Sequence, residues 1–168
     1  MSYRIFTDAT SDLPAQFAGQ LGVTVLPMAF SMEEKEYFYV PGNSQLPIET
    51  FFANMRKGAS VTTVQINSFA FIEAFEPVLQ AGEDVLYIGF STKLSGTVQS
   101  AHSAAEELAG KYPQRKVIVI DSASASLGEG LLVYYAARKQ KELGLDELAV
   151  WVEENKLRFA HWFTVDDL

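Results

Sequence analysis

The sequence contains no cysteine and only two histidines among its 168 residues. The lack of cysteine excludes disulfide bonds, thiolate catalysis and cysteine-ligated zinc, and it is typical of a protein in a reducing compartment. His102 lies inside a predicted helix and His161 in a predicted strand, so we assign both to surface or packing positions. Their spacing gives no support to a two-histidine metal site, and we expect neither a metal nor another cofactor.

Positive charge and long apolar runs are also scarce. The chain has 13 Lys and Arg against 21 Asp and Glu, a formal net charge of −8, which argues against nucleic acid or an anionic membrane surface as a partner. No charged-then-apolar leader opens the chain, and no apolar run is long enough to cross a bilayer. We therefore expect a cytoplasmic protein with no nucleic-acid partner and no stable membrane insertion.

Short apolar segments instead alternate with helical ones. Residues 3–7, the run that starts at Val85, and residues 116–120 are almost wholly apolar, which is typical of strands buried on both faces. The pattern predicts an α/β fold of the three-layer, Rossmann-like kind, with a mostly parallel sheet covered by helices on both faces. The other predicted elements are a strand over 23–30, a surface hairpin or loop over 32–45, a connection over 61–68, helices after Pro47 and over 69–80, 131–143 and 145–157, and a last strand over 159–164.

A hydroxyl-rich loop separates the Val85 strand from the helix that follows it. Ser95 or Thr97 can cap this helix, and Gly96 lets the backbone turn and leaves its N–H uncovered. Backbone donors at a helix N-terminus form a small anion site, for either a phosphate or a carboxylate. Ordinary helix capping, which needs no ligand, is the simpler alternative for this loop.

Polar residues follow several of the predicted strands where each strand ends. Because ligands of open α/β sheets bind beyond the carboxyl ends of the strands, this placement predicts one shared crevice. The residues concerned are Asp8, Ser11, Asp12, Ser91, Ser95, Asp121 and Ser122.

A phosphoryl-transfer or phosphate-binding enzyme is one function that such a crevice would fit, with Asp8 and Asp121 beside a magnesium ion. The chain, however, has no glycine-rich loop that ends in Gly-Lys-Ser/Thr, and Lys93 precedes Gly96 where a phosphate-binding loop has its lysine after the glycine. A serine nucleophile is less well supported, because the segment around Ser91 lacks the second glycine of a nucleophile elbow.

Apolar residues gather on both sides of the Thr62-Thr63 pair in the sequence. All of them could be core, which is the usual place for such side chains. If the pair borders the Ser95 loop, however, the two form a binding site with a polar end and an apolar hollow behind it. Such a site suits an amphiphile with a carboxylate head. The residues are Phe51, Phe52, Met55, Phe69, Phe71 and Phe75.

Four blocks carry a resemblance to a known family. They are FTDATSDL over 6–13, TTVQIN over 62–67, LSGTVQSA over 94–101, and Asp121-Ser122 followed by Gly128 and Gly130. In order and spacing the chain resembles the DegV family of bacterial fatty-acid-binding proteins. The resemblance implies a two-domain α/β protein that holds a long-chain fatty acid between its domains. It also implies a carrier subunit without chemistry of its own, which presents the acid to a separate fatty-acid kinase subunit that makes the acyl phosphate.

The same resemblance implies roles for particular residues. Thr63 and Ser95 would hydrogen-bond the carboxylate, with Thr62 as the fallback for Thr63, Gly96 as part of the backbone wall and Ser91 nearby. The family usually has a serine at the position of Val64, so one hydroxyl of the head-group network is missing.

The resemblance also implies a domain boundary. Residues 1–163 correspond to the family's N-terminal domain and 164–168 to the start of a linker, so that the second domain is missing from this chain. In the family that domain supplies an Arg and a His to the head group. With neutral donors only, we expect weaker binding, since charge-assisted hydrogen bonds are roughly twice as strong as neutral ones. A fragment that folds but binds no lipid is the remaining alternative.

Overall fold

The computed structural model describes residues 2–162 and residue 164, and seven strands and six α-helices lie within them. The strands are β1 (Tyr3–Asp8), β2 (Thr24–Leu26), β3 (Met28–Met32), β4 (Lys35–Tyr39), β5 (Val61–Val64), β6 (Asp84–Gly89) and β7 (Val117–Asp121). The helices are α1 (Ala15–Leu21), α2 (Ile48–Arg56), α3 (Ser68–Gln80), α4 (Thr97–Lys111), α5 (Leu127–Lys139) and α6 (Leu145–Asn155). Short 3₁₀ helices cover Ala9–Ser11 and Lys156–Arg158.

A parallel sheet in the order β2-β1-β6-β7 forms the middle layer, which confirms the predicted three-layer α/β fold. One face carries an apolar cluster that includes Phe71 and Phe75 of α3 and Leu108 of α4. The other face carries a cluster with Leu132 of α5 and Leu148 of α6. All six residues of β6 are buried, as expected of a strand covered on both sides.

A second sheet, antiparallel and in the order β4-β3-β5, was not predicted. The prediction of one strand over 23–30 was wrong: the chain leaves the parallel sheet after β2, passes through Pro27 and enters the second sheet at β3. Proline has no N–H to give to a ladder, which explains a break at this position. The segment interpreted as a connection contains β5. The surface hairpin or loop predicted over 32–45 contains the turn at Glu33 and Glu34, both at positive φ, and β4, but the hairpin itself covers 28–39 because its first strand is β3.

The predicted helix over 131–143 begins and ends four residues earlier, as α5. Its first turn packs closely on the 3₁₀ helix after β1, since a Cβ added to Gly130 would lie 2.5 Å from the carbonyl oxygen of Ser11. Gly128 and Gly130, which precede the predicted helix, lie inside α5. The predicted last strand is wrong for 159–162 and 164, which form no strand, and Phe163 and residues 165–168 lie outside the described residues.

No helix in the described part of the chain has both the length and the apolar character needed to cross a bilayer.

The contact at Gly130 leads to a test by substitution. Gly130→Ala should lower the free energy of unfolding by about 1–3 kcal/mol, because its methyl group would overlap a backbone carbonyl that cannot easily move. Gly110→Ala is the matched control: Gly110 is also helical, nothing surrounds its Cβ position, and alanine there should stabilise by up to about 1 kcal/mol. Urea unfolding of both variants measures the difference. Equal unfolding free energies would contradict the tight packing of α5 on the turn.

Candidate functional site

The loops after β1, β6 and β7 meet at the carboxyl end of the parallel sheet. β1 and β6 are neighbours there, with β2 beyond β1 and β7 beyond β6, so this is the switch point at which open α/β sheets bind ligands. A cavity of about 430 Å³ lies at this point, and β5 of the second sheet forms part of its wall. Its polar lining residues include Asp8, Thr10, Asp12, Thr63, Gln65, Ser95, Thr97 and Ser126.

Two of the predicted site residues line this cavity, and three do not. Thr63 reaches it from β5 and Ser95 from the loop before α4. Thr62 is absent from its lining, since side chains alternate along a strand. Ser91 is buried under its own loop, where its hydroxyl accepts from the Lys93 N–H at 3.3 Å. Gly96 lies beneath the Gln65 side chain, whose Oε1 would be 2.6 Å from an added Cβ.

The hydroxyls of Ser95 and Thr63 differ in their existing partners. Ser95 Oγ accepts from the Thr97 N–H at 3.2 Å and lies 2.9 Å from Thr97 Oγ1. The predicted cap by Ser95 or Thr97 is not formed: Gly96 is the N-cap residue of α4 and has no side chain to offer, and Ser95 binds the first helical N–H from one position before it. The Thr63 side chain is exposed and has no hydrogen-bond partner within the described part of the chain. Its hydroxyl is therefore available to a ligand.

The Asp8 carboxylate is almost fully buried, with 1% exposure, and both of its oxygens are occupied. Oδ1 accepts from the Thr10 N–H at 2.9 Å and from the Thr10 hydroxyl, and Oδ2 accepts from the Tyr87 hydroxyl at 2.5 Å. Burial, and then the negative charge and hydrogen bond of Asp8, raise the pKa of Tyr87 well above its ordinary value. Tyr87 is therefore a neutral donor, and Asp8 serves to hold the loop after β1.

Asp12 forms the corresponding link at the rim of the cavity. Its Oδ2 accepts from the Ser126 hydroxyl at 2.7 Å, and this bond joins the loop after β1 to the loop before α5. Tyr39 also lines the cavity, and its pKa is raised by partial burial and by the charge and hydrogen bond of Asp12. Asp12 and Ser126 adopt φ of 48° and 52°, a region that is costly for residues other than glycine and is concentrated at functional sites.

A second, mainly apolar cavity of about 180 Å³ continues from the first. The two share Asp12, Met28, Tyr39 and Thr63, so Thr63 lies where the polar space meets the apolar one. The apolar walls are Phe30, Leu46, Ile48, Phe51 and Val61.

Of the six apolar residues singled out near Thr62 and Thr63, only Phe51 lines the apolar cavity. Phe71 and Phe75 belong to the core, and Phe52, Met55 and Phe69 are exposed. Sequence reasoning missed Phe30 and Met28, because it placed them in a strand of the wrong sheet. Their only signal was Pro27, which marks the change of sheet.

The two aspartates required for phosphoryl transfer are not brought together in the cavity. Asp121 is not in its lining, and its carboxylate accepts from the Thr92 N–H at 3.3 Å, the Thr92 hydroxyl and the Ala123 N–H at 2.8 Å. Partial burial acts to raise the pKa of Asp121, but these hydrogen bonds hold it below its ordinary value. Over residues 2–162 and 164, no group of three or more His, Asp or Glu side chains is arranged to hold a metal ion.

Comparison with known proteins identifies the family. The profile of the family described as "Uncharacterised protein, DegV family" matches residues 2–168. The chain belongs to the DegV family. A DegV domain-containing protein of Clostridium perfringens is 42% identical over 165 residues, which are 98% of this chain and 56% of that relative. YteA, a DegV domain-containing protein of Lactococcus lactis, is 36% identical over 169 residues, which are 100% of this chain and 58% of that relative. The chain thus spans little more than half the length of these curated relatives.

Solved DegV structures have the same fold. A DegV family protein from Thermus thermophilus, described by its fatty acid binding, has a TM-score of 0.81 and 34% identity, covering 94% of this chain and 54% of its own. DegV from Bacillus subtilis, described as a fatty acid binding protein, has a TM-score of 0.80 and 24% identity, with coverage of 94% and 54%. At 24% identity, the similarity to the Bacillus subtilis structure concerns the fold alone.

The Asp8 network of this DegV chain can be tested through Tyr87. Tyr87→Phe removes a buried donor and leaves a carboxylate oxygen short of a partner, so the free energy of unfolding should fall by about 1–3 kcal/mol. Tyr112→Phe is the control: its hydroxyl donates to Glu76 at 2.9 Å in a more exposed setting, and its loss should cost less than about 1 kcal/mol. Denaturant unfolding measures both variants. A Tyr87→Phe protein as stable as wild type would show that Asp8 does not depend on this bond.

Proposed function

We propose that this DegV-family chain binds a long-chain fatty acid as a carrier, with no catalytic chemistry of its own. One observation carries the proposal: Thr63 of the second sheet and Ser95 of the loop before α4 line one cavity that continues into an apolar pocket. The Thermus thermophilus protein described by its fatty acid binding supports it, since it shares 34% identity over 94% of this chain.

The polar cavity suits the carboxylate head. The Thr63 hydroxyl is available as a donor, and the Ser95 hydroxyl lies at the first turn of α4. α4 has 15 residues, and the partial positive charge of its N-terminus favours a negative group beside Ser95 and Thr97. Thr63 and Ser95 thus supply neutral hydrogen bonds, and the helix supplies a favourable field.

The apolar pocket suits the first part of the acyl tail. Phe30 and Phe51 meet edge to face, with ring centroids 5.2 Å apart, and Ile48 and Val61 complete the wall. Each methylene group buried there contributes about 0.8 kcal/mol, so even a few of them outweigh a neutral hydrogen bond to the head. In this proposal the tail supplies most of the affinity and the head fixes the orientation.

The kinase partner is a further part of the proposal and rests on the family resemblance. With Thr63 exposed and Ser95 half-buried, the head would lie near the mouth of the cavity, where a separate fatty-acid kinase subunit can reach it. A second domain of the kind that the family resemblance implies would, where present, cover the remaining part of the acid. We place this carrier in the cytoplasm.

Thr63 provides a direct test of head-group binding. Thr63→Val keeps the shape of the side chain but removes its hydroxyl, and it should weaken binding of a fluorescent long-chain fatty acid by about 1–3 kcal/mol. Thr62→Val is the matched control, since Thr62 lies next to it in β5 but outside the cavity, and its effect should be below about 0.5 kcal/mol. If neither the wild type nor the control binds the probe and native mass spectrometry finds no lipid, the non-binding fragment is the correct alternative.

The test of Ser95 requires a measurement of fold stability as well as of fatty-acid affinity. Ser95→Ala should weaken binding by an amount similar to Thr63→Val and also lower the stability of the fold by about 1 kcal/mol, because Ser95 Oγ accepts from the Thr97 N–H. Ser103→Ala is the control, as it removes an exposed hydroxyl from the same helix, far from the cavity. Isothermal titration and thermal unfolding separate the two effects. Unchanged affinity in a folded Ser95→Ala protein would exclude Ser95 from the head-group site.

A further inference from the structure

Glu129 is a fully buried carboxyl group that the proposed lipid site does not use directly. It lies in the first turn of α5, between Gly128 and Gly130. Oε1 accepts from the Thr7 hydroxyl at 2.9 Å, and Oε2 lies 3.4 Å from Thr10 Oγ1. These partners are more than a hundred positions away in the sequence, so only the packing of α5 on β1 brings them together.

The protons of this cluster can be counted. The Thr10 hydroxyl has one proton, and its short contact with Asp8 Oδ1 uses that proton. With Asp8 ionised, Glu129 Oε2 therefore faces a lone pair of Thr10 Oγ1, and the contact is favourable when Oε2 itself holds a proton. A neutral Glu129 completes a chain in which each oxygen pair has one proton.

The charged and titratable groups around Glu129 also favour its neutral, protonated form. Asp8 and Asp12 act on it from the loop after β1, and Tyr87 reaches Asp8 from β6. From the C-terminal segment, His161 packs against Gly128, the residue before Glu129. Burial, and then the charge of Asp8, raise the pKa of Glu129 well above its ordinary value.

The cluster is linked to the cavity through Thr10. Thr10 and Asp8 both line it, and the 3₁₀ helix that contains Thr10 packs against α5 at Gly130. A change in the protonation state of Glu129 would therefore move the cavity wall beside the proposed head-group site or change its charge.

We propose that Glu129 is a positioning residue of the fatty-acid site and acts as the neutral acid, donating from Oε2 to Thr10 Oγ1 while Thr10 donates to Asp8. This arrangement fixes Thr10 at the cavity wall. It also leaves one negative charge in the cluster, on Asp8, whereas ionisation of both Asp8 and Glu129 would leave two. The role at the site rests on the proposed function, but the proton chain does not. Loss of the Glu129 proton would add a negative charge near the bound carboxylate and weaken its binding.

The sign of the pH effect on stability follows from linkage. Because the pKa of Glu129 is raised in the folded state, the folded protein holds this proton more tightly than the unfolded chain does. The stabilisation is complete below the unfolded value, near pH 4.3, and declines as the pH rises from there towards the folded value. Glu129→Gln has no such proton and should lack this decline. Glu106→Gln, which changes an exposed glutamate on α4, should keep the wild-type pH dependence.

The direct test does not require a ligand. We would record ¹³C NMR spectra of the chain with labelled glutamate carboxyl groups and assign Glu129 by the signal that Glu129→Gln lacks. A neutral-acid chemical shift at about pH 7 is expected. A carboxylate shift at that pH would overturn the proposal.

The role at the site is tested by binding of cis-parinaric acid between about pH 6 and pH 9, a range above the pKa of an unperturbed carboxylic acid. Across the pH range in which the Glu129 NMR signal changes to the carboxylate form, wild type and Glu106→Gln should lose about tenfold more affinity than Glu129→Gln, whose amide replaces both hydrogen bonds but cannot ionise. Glu129→Leu, which lacks both bonds, should bind more weakly throughout, and Glu129→Gln should restore binding. Parallel pH profiles for wild type and Glu129→Gln would overturn the role at the site. If no variant binds the probe, the proposed function and this role fail together, while a neutral Glu129 signal would still establish the proton chain.

Discussion

The Asp8 carboxylate is buried where β1 ends, and a buried charge must be surrounded by donors if the fold is to be stable. Thr10 meets this requirement from the 3₁₀ helix and Tyr87 from the neighbouring strand β6. The ring of Tyr87 can lie in this direction because Gly89, two residues further along the strand, has no side chain: an added Cβ would be 2.4 Å from the Tyr87 hydroxyl. The positions of the loops at the switch point depend on this arrangement.

The need to surround Asp8 with hydrogen-bond donors also connects the fold to the cavity. With the loop after β1 fixed by Asp8, Asp12 reaches Ser126, and Glu129 of α5 reaches Thr7 and Thr10. The loop after β1 is thereby joined to the loop before α5 and to α5 itself beside a polar space, and the second sheet supplies Thr63 and the apolar pocket. The α/β core thus provides the head-group end of the proposed site, and the inserted sheet with α2 provides the tail end.

The sequence predicted the parallel sheet well because its strands are buried on both faces and are almost wholly apolar, as the run from Val85 shows. It also predicted a crevice at the strand ends, where Asp8 and Ser95 do line one cavity. The residues alone raised the placement of Thr63 beside Ser95 only as a condition, and the family resemblance supplied it, since no local pattern relates β5 to the loop before α4.

The second sheet and the Glu129 cluster could not be predicted for a common reason. No residue of β4 or β5 is buried, so neither strand has the buried apolar run that marks the strands of the parallel sheet. Glu129 lies between two glycines, which resemble a loop until α5 is placed on the turn after β1. Both features are set by contacts between distant segments, and Glu129 and Thr7 are 122 positions apart.

The central claim is that one cavity receives the head of a fatty acid between Thr63 and Ser95. A crystal structure of this chain with a bound long-chain fatty acid tests it most directly. The account predicts carboxylate oxygens within hydrogen-bond distance, about 2.5–3.2 Å, of Thr63 Oγ1 and Ser95 Oγ, and the first methylene groups against the wall that Phe30 and Phe51 form. A head group bound elsewhere on the chain, with the space between these two hydroxyls filled only by water, would contradict it.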